Sequence, residues 1–152
     1  MTAAAALPHI DEHSAQIRAG AGETWRALLR VVEGSVTGAT ASGFARALGC
    51  ADTAASGPRP LGAGSTIPGF HVDAAEEPRE LALAGRHRFS EYALVFRLED
   101  LDGGGTRLRA ETRAEFPGLR GRLYRAMVIG TRGHVVVTRR LLGATKRRAE
   151  RG

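Results

Sequence analysis

Uncharged and charged residues alternate without a break through Thr106-Arg107-Leu108-Arg109-Ala110-Glu111-Thr112-Arg113-Ala114-Glu115-Phe116. A repeat of two predicts a strand with one wet and one dry face. Beyond Pro117-Gly118 the repeat lengthens: Leu123, Met127, Gly130, His134, Val137 and Leu141 follow at steps of three and four. That spacing predicts a long helix with these residues on one side. Gly130, Gly133 and Gly143 each cost about 1 kcal/mol relative to alanine in a helix interior. Val135-Val136-Val137 is β-branched and suits a strand, but the helical spacing persists from Leu123 to Leu141. A strongly amphipathic strand leading into a long C-terminal helix predicts a helix laid across a curved antiparallel sheet. Such a layout can enclose a cavity.

The remaining pattern supplies further elements. His9 to Ala19 reads as a first strand, with Asp11, His13, Ala15 and Ile17 on one face and Glu12, Ser14, Gln16 and Arg18 on the other. After Ala19-Gly20-Ala21-Gly22, Glu23-Thr24 opens an amphipathic helix carrying Trp25, Leu28, Leu29 and Val32. Gly34 to Gly38 is a break, and Thr40 to Leu48 reads as a second short helix stopped by Gly49. Cys50 to Gly64 is rich in Ala, Gly, Ser and Pro and reads as a loop, either a plain surface connection or a cover over a cavity entrance. Thr66 to Asp73, interrupted by Pro68-Gly69, suits an edge or bulged strand. Glu80–Arg86 and Arg88–Glu99 flank a bend near Gly85, and Asp102-Gly103-Gly104-Gly105 is a tight turn into the strong strand.

At 152 residues the chain suits one domain with a single substantial core. Residues 1–8 read as a disordered tail, 9–147 as the domain and 148–152 as a basic C-terminal tail. There is no apolar run long enough for a transmembrane helix, and the start lacks the basic region of a signal peptide. The lone Cys50 excludes an internal disulfide and fits a reducing compartment, so the expected location is the cytoplasm. The net charge of +6 is concentrated in Arg139, Arg140, Lys146, Arg147, Arg148 and Arg151. This stretch reads as a solvated helix end whose cations complement the helix dipole. Contact of the tail with nucleic acid or an anionic membrane is the less favoured reading, since no aromatic platform is interleaved.

Several segments together resemble the START-like superfamily of helix-grip proteins, also called SRPBCC, and within it an actinobacterial branch. They are Glu12-His13-Ser14-Ala15-Gln16-Ile17 with Glu23-Thr24-Trp25-Arg26-Ala27-Leu28-Leu29, then Gly69-Phe70-His71-Val72 and Gly85-Arg86-His87-Arg88-Phe89-Ser90. Phe116-Pro117-Gly118, Gly121-Arg122-Leu123-Tyr124-Arg125 and Gly130-Thr131-Arg132-Gly133-His134 complete the set. The resemblance spans roughly His9 to Lys146 and implies an α+β helix-grip fold. In that fold a curved antiparallel β-sheet wraps around a long C-terminal α-helix, with two short helices between strands 1 and 2. It also implies seven strands, whereas five are clear here; Gly34–Gly38 and Ala51–Thr66 are where others would lie. The superfamily hosts both transport and catalysis, so it points to a fold more sharply than to an activity.

Polar residues on cavity-facing positions orient a ligand in an apolar pocket. His13 shares a face with Ala15 and Ile17, and His134 shares one with Met127 and Leu141; each is either an acid/base candidate or a histidine satisfied by its neighbours. Arg88 and Tyr92 share parity with Leu94, Phe96 and Leu98, which would bring a cation and a phenol inward. The alternative for Arg88 is a strand end snorkelling into water. Thr112 is inward by alternation, and Tyr124 lies at the edge of the helix face. The candidate ligand-binding set is therefore His13, Arg88, Tyr92, Thr112, Tyr124, Met127 and His134. No zinc spacing, phosphate-binding glycine fingerprint or nucleophile elbow occurs, so neither a metal nor another cofactor is expected. The expected function is binding of a small hydrophobic molecule (lipid, polyketide or other aromatic or isoprenoid metabolite) between sheet and C-terminal helix. One alternative is a polyketide cyclase- or dehydratase-like enzyme using pocket His, Arg and Tyr. The other is a non-catalytic interaction module using the basic tail. Oligomeric state is open.

Overall fold

The computed structural model describes residues 3–35, 43, 46, 47, 49–130 and 133–151. Among these, the elements run α1 (Ala3–Ala6), β1 (His9–Ile17), α2 (Ala21–Ser35), β2 (Thr66–Ile67), β3 (Phe70–Glu76), β4 (Glu80–Arg86), β5 (Glu91–Asp100), β6 (Thr106–Glu115), α3 (Gly118–Gly130) and α4 (Gly133–Glu150). The strands form one six-stranded antiparallel sheet in the order β1-β6-β5-β4-β3-β2, so the first strand pairs with the last. The alternation in β6 is realised directly. Leu108 and Ala110 are buried on the inner face, where Leu108 pairs with Ala15 and Leu98, and Ala110 with His13 and Phe96. Apolar groups from α2 (Trp25, Leu28, Leu29, Val32) and α4 (Leu141, Leu142, Ala149) close on that face to form the core. Each large side chain so buried contributes about 1.5–3 kcal/mol. Sheet, gripping helices and connectivity make this an α+β helix-grip fold.

Along β1 and β6 the outer face is polar and ion-paired. Glu111 is the exception to the wet side of the alternation: its carboxylate is buried, reached by Arg97 (2.9 Å), Arg113 (3.1 Å) and His9 (2.6 Å). Burial pushes this carboxyl up, but the hydrogen bonds from His9, Arg97 and Arg113 outweigh it and hold the group down at about 2.

Several expectations are corrected. Residues 3–7 are not a frayed tail. Ala4 and Leu7 pack on Ala82, Ala84, Ala93 and Val95 of the outer sheet face, and Arg113 donates to the Leu7 carbonyl at 2.7 Å. Small alanines on two adjacent strands leave a shallow apolar patch that a single helical turn can cover. Thr66–Asp73 is two strands: Pro68-Gly69 turns the chain, and Ile67 pairs with Phe70. A further bridge joins Ser56 to Thr66, within the loop segment. The expected helix over Thr40–Leu48 lies, apart from isolated positions, outside the described residues.

The C-terminal stretch is helical on both sides of residues 131 and 132, which lie outside the described residues: α3 runs up to Gly130 and α4 from Gly133. The apolar spacing does not mark one buried face: His134 and Leu141 face inward, but Leu123, Met127 and Val137 are 75%, 59% and 57% exposed. The inward face of α4 includes Thr138 and Thr145, both buried. Their hydroxyls donate to the His134 and Leu141 carbonyls one turn back, at 2.8 Å each. A threonine satisfied in this way buries at little cost. The helix also continues to Glu150 with Ala149 buried, so the basic end is part of the fold.

Candidate functional site

The inner sheet face has two halves. At one end Ile17, Phe96, Leu98 and Leu108 are buried under α2 and the later turns of α4. At the other end Asp11, His13, Phe70, Tyr92, Leu94 and Thr112 are half-buried. The register places them side by side: Asp11 opposite Thr112, and Thr112 opposite Leu94. The first turn of α4 and the start of α3 approach this open half, bringing His134 and Tyr124.

Asp11 is the centre of its polar group. Its Oδ2 accepts from His134 Nε2 at 2.7 Å and lies 3.3 Å from His13 Nε2. Burial pushes the Asp11 carboxyl up. The hydrogen bonds and charge interactions with His134, then His13, outweigh that and hold it below the ordinary carboxylate value. Because His134 donates through Nε2, its Nδ1 carries the lone pair whenever the ring is neutral. That Nδ1 and the second Asp11 oxygen are both buried without a hydrogen-bond partner among the described residues. An imidazole oriented by a carboxylate, with its other nitrogen uncommitted, is equipped to take or give a proton at Nδ1.

A second cluster is aromatic. His87 sits on the turn between β4 and β5, where its Nδ1 accepts from the Phe89 N–H at 3.1 Å. Its Nε2 therefore bears the hydrogen and donates to Tyr124 Oη at 3.1 Å. Burial lowers the His87 pKa and so keeps the ring neutral at pH 7. Tyr124 stacks on Phe89 at 5.4 Å and retains its own hydroxyl proton for another acceptor. Burial raises its pKa. Tyr92 contacts Phe70 edge-on at 5.2 Å and donates its hydroxyl to the Gly69 carbonyl. Burial, then the neighbouring Cys50, raises the Tyr92 pKa. Gly85 makes this possible: a Cβ there would collide with the Gly69 carbonyl and the Tyr92 ring. A tyrosine crossing a glycine thus ties β5 to the β2–β3 hairpin.

Of the candidates read from sequence, the fold gathers His13, Tyr92, Thr112, Tyr124 and His134 around the open half. Arg88 is not among them. The strand starts at Glu91, so the inward parity does not extend back to Arg88, which lies exposed on the turn with its side chain against Gly49. Met127 is on the exposed side of α3. Asp11 and His87 were not foreseen as site residues. Asp11 could have been found from its parity with His13. His87 has no periodic signal, because it lies on a turn. No three described His, Cys, Asp or Glu residues come together in a way that could hold a metal ion. A cleft of about 180 Å3, smaller than a usual small-molecule site, lies beside Tyr92 and Gly85 and is also lined by Leu7, Ala51, His71 and Ala84.

Solved structures with this architecture include Ara h 8.0201, at 11% identity and TM-score 0.51 over 93% of this chain and 97% of that one. CalU16 from Micromonospora echinospora matches at 15% identity and TM-score 0.50, covering 95% and 92% of the two chains. TTHA0849 from Thermus thermophilus matches at 16% identity and TM-score 0.52, covering 93% and 97%. At these identities the likeness concerns the fold. No family model and no curated protein matches the chain. No described helix is long and apolar enough to cross a membrane.

Proposed function

We propose that the protein binds a small hydrophobic molecule, such as a lipid, polyketide or other aromatic or isoprenoid metabolite, against the open half of the inner sheet face. The observation carrying this reading is the change in burial along β5. Phe96 is 0% exposed, whereas Leu94, two residues earlier on the same face, is half-buried beside Thr112 and Asp11. A sheet whose only task was to support a core would be covered along its whole inner face. Apolar Leu94, Phe70 and Ala15 supply contact area worth roughly 25 cal/mol per Å2. The Tyr124 hydroxyl and the Asp11–His134 pair supply orientation. Native mass spectrometry of protein from its own host is expected to show a co-purifying apolar species, and Thr112→Trp to exclude it without unfolding the chain. Absence of both a bound species and saturable binding of a fluorescent apolar probe would overturn the reading.

A second reading is catalysis of the cyclase, dehydratase or isomerase kind, favoured by the Asp11–His134 pair. His134 Nδ1 would remove a proton beside a substrate carbonyl, and the Tyr124 hydroxyl would donate to the developing oxyanion. Deuterium exchange beside the carbonyl of a bound aromatic ketone, lost in His134→Ala, is the expected signature. Equal exchange in both proteins would remove this reading and leave binding intact.

A further inference from the structure

Among the described residues, the large exposed apolar side chains all lie in the two C-terminal helices: Leu119, Leu123 and Met127 on α3, Val136 and Val137 on α4. The α3 residues recur every four positions and form one stripe along an outward face. Leu119 and Leu123 are 83% and 75% exposed, far beyond what a helix packed on a core leaves in water. The opposite side of α3 is the packed one, with Gly121 set against Phe89 and Phe116 and Tyr124 bonded to His87.

Charge is segregated to the same region. From Phe116 to Ala149 there are nine arginines and lysines and no acidic residue. At 100° per residue, Arg120 and Arg122 fall on either side of the Leu119–Leu123–Met127 stripe. Both are exposed, and neither has an ion-pair partner among the described residues. On the outer sheet face, by contrast, Arg97, Arg109 and Arg113 are all paired with glutamates. A leucine stripe bordered by unpaired arginines is complementary to a surface that is negative at the headgroups and apolar just beneath. Nucleic acid would match the arginines but leave the leucines in water.

We infer that α3 docks the protein on an anionic lipid bilayer, with Leu119 and Leu123 entering the interface and Arg120 and Arg122 meeting the headgroups. The docking element is α3 and not the basic end of α4. Since Tyr124 projects from the other side of the same helix to the open half of the sheet, docking would bring the ligand site to the membrane. The docking itself does not depend on which ligand is bound.

The test is co-sedimentation of the full chain with vesicles of phosphatidylcholine alone and with about a quarter phosphatidylglycerol. Binding to the anionic vesicles is expected, with little to the neutral ones. L119E/L123E, at exposed positions that leave the fold intact by circular dichroism, is expected to reduce the bound fraction about tenfold or more. R120Q/R122Q is expected to reduce it by a similar factor, with relief at high salt in the parent protein. R147Q/R148Q, on α4, is expected to retain most binding. Loss in R147Q/R148Q with retention in both α3 variants would overturn the inference. So would a parent protein that ignores both vesicle types, or one whose stripe variants only convert a dimer to a monomer in light scattering. Binding of single-stranded RNA in place of vesicles would assign the surface to nucleic acid instead.

Discussion

The closed and open halves of the inner sheet face are built on the same strands, in the same register, with the same alternation. In the closed half Ile17, Phe96, Leu98 and Leu108 meet α2 and α4 and are almost completely removed from water. A hydroxyl there, that of Thr106, donates to the Ala19 carbonyl at 2.7 Å. In the open half the corresponding positions carry Asp11, His13, Thr112 and Tyr92, and the covering side chains are His134 and Tyr124. Polar groups cannot be sealed under an aliphatic helix without partners. The difference teaches that a sheet's period sets which side chains face inward, while their chemistry sets whether that side becomes core or site.

The sharpest way to break this division is to truncate neighbours on one strand. Phe96→Ala is expected to cost about 3–5 kcal/mol in urea unfolding, and Leu94→Ala less than about 1.5 kcal/mol while weakening apolar-probe binding. Equal losses would erase the distinction between the halves.

Acid sensitivity sharpens it further. Glu111, on the outer face, titrates at about 2 in the fold against an ordinary 4.5. A depressed carboxylate contributes stability above its ordinary range and loses it as pH falls through the folded value. Glu111→Gln is therefore expected to lower stability by about 2 kcal/mol at pH 7, with the gap to the parent protein narrowing as pH falls through that interval. Asp11 is also depressed, so the sign is the same. Asp11→Asn is expected to cost about 1 kcal/mol at neutral pH and to converge with the parent in acid. Unlike Glu111→Gln, it should also alter ligand binding or turnover. A pH profile of probe affinity for the two variants separates the outer carboxylate from the inner one of the proposed site. The smallest effect is expected for Tyr124→Phe, within about 1 kcal/mol of the parent in stability. It should still change the affinity of a carbonyl-bearing ligand over an alkane of similar size.

Much of the fold was legible because local period and local structure coincide. The β6 alternation, the His9 strand, the Glu23-Thr24 helix start and the glycine turn at 102–105 are sequence-local features, and they place Thr112 and His13 on the inner face. The reading of the C-terminal helix was less successful, because it treated Leu123 through Leu141 as one phase. Leu123 and Met127 face outward, whereas Thr138 and Thr145 face inward. Threonines that return their hydroxyls to their own helix read as polar in a sequence and behave as core in a structure. Arg88 failed for a similar reason: parity is meaningful only within a strand, and the strand begins three residues later.

The sequence alone determined which residues could share a sheet face, since a side-chain period of two is a property of the extended backbone. It could not determine that Asp11 from the first strand would meet His134, 123 residues away, or that His87 on a turn would meet Tyr124. Those pairings depend on where separate elements cross. That is decided by the packing of α2, α3 and α4 against the sheet and its turns, which has no period to read.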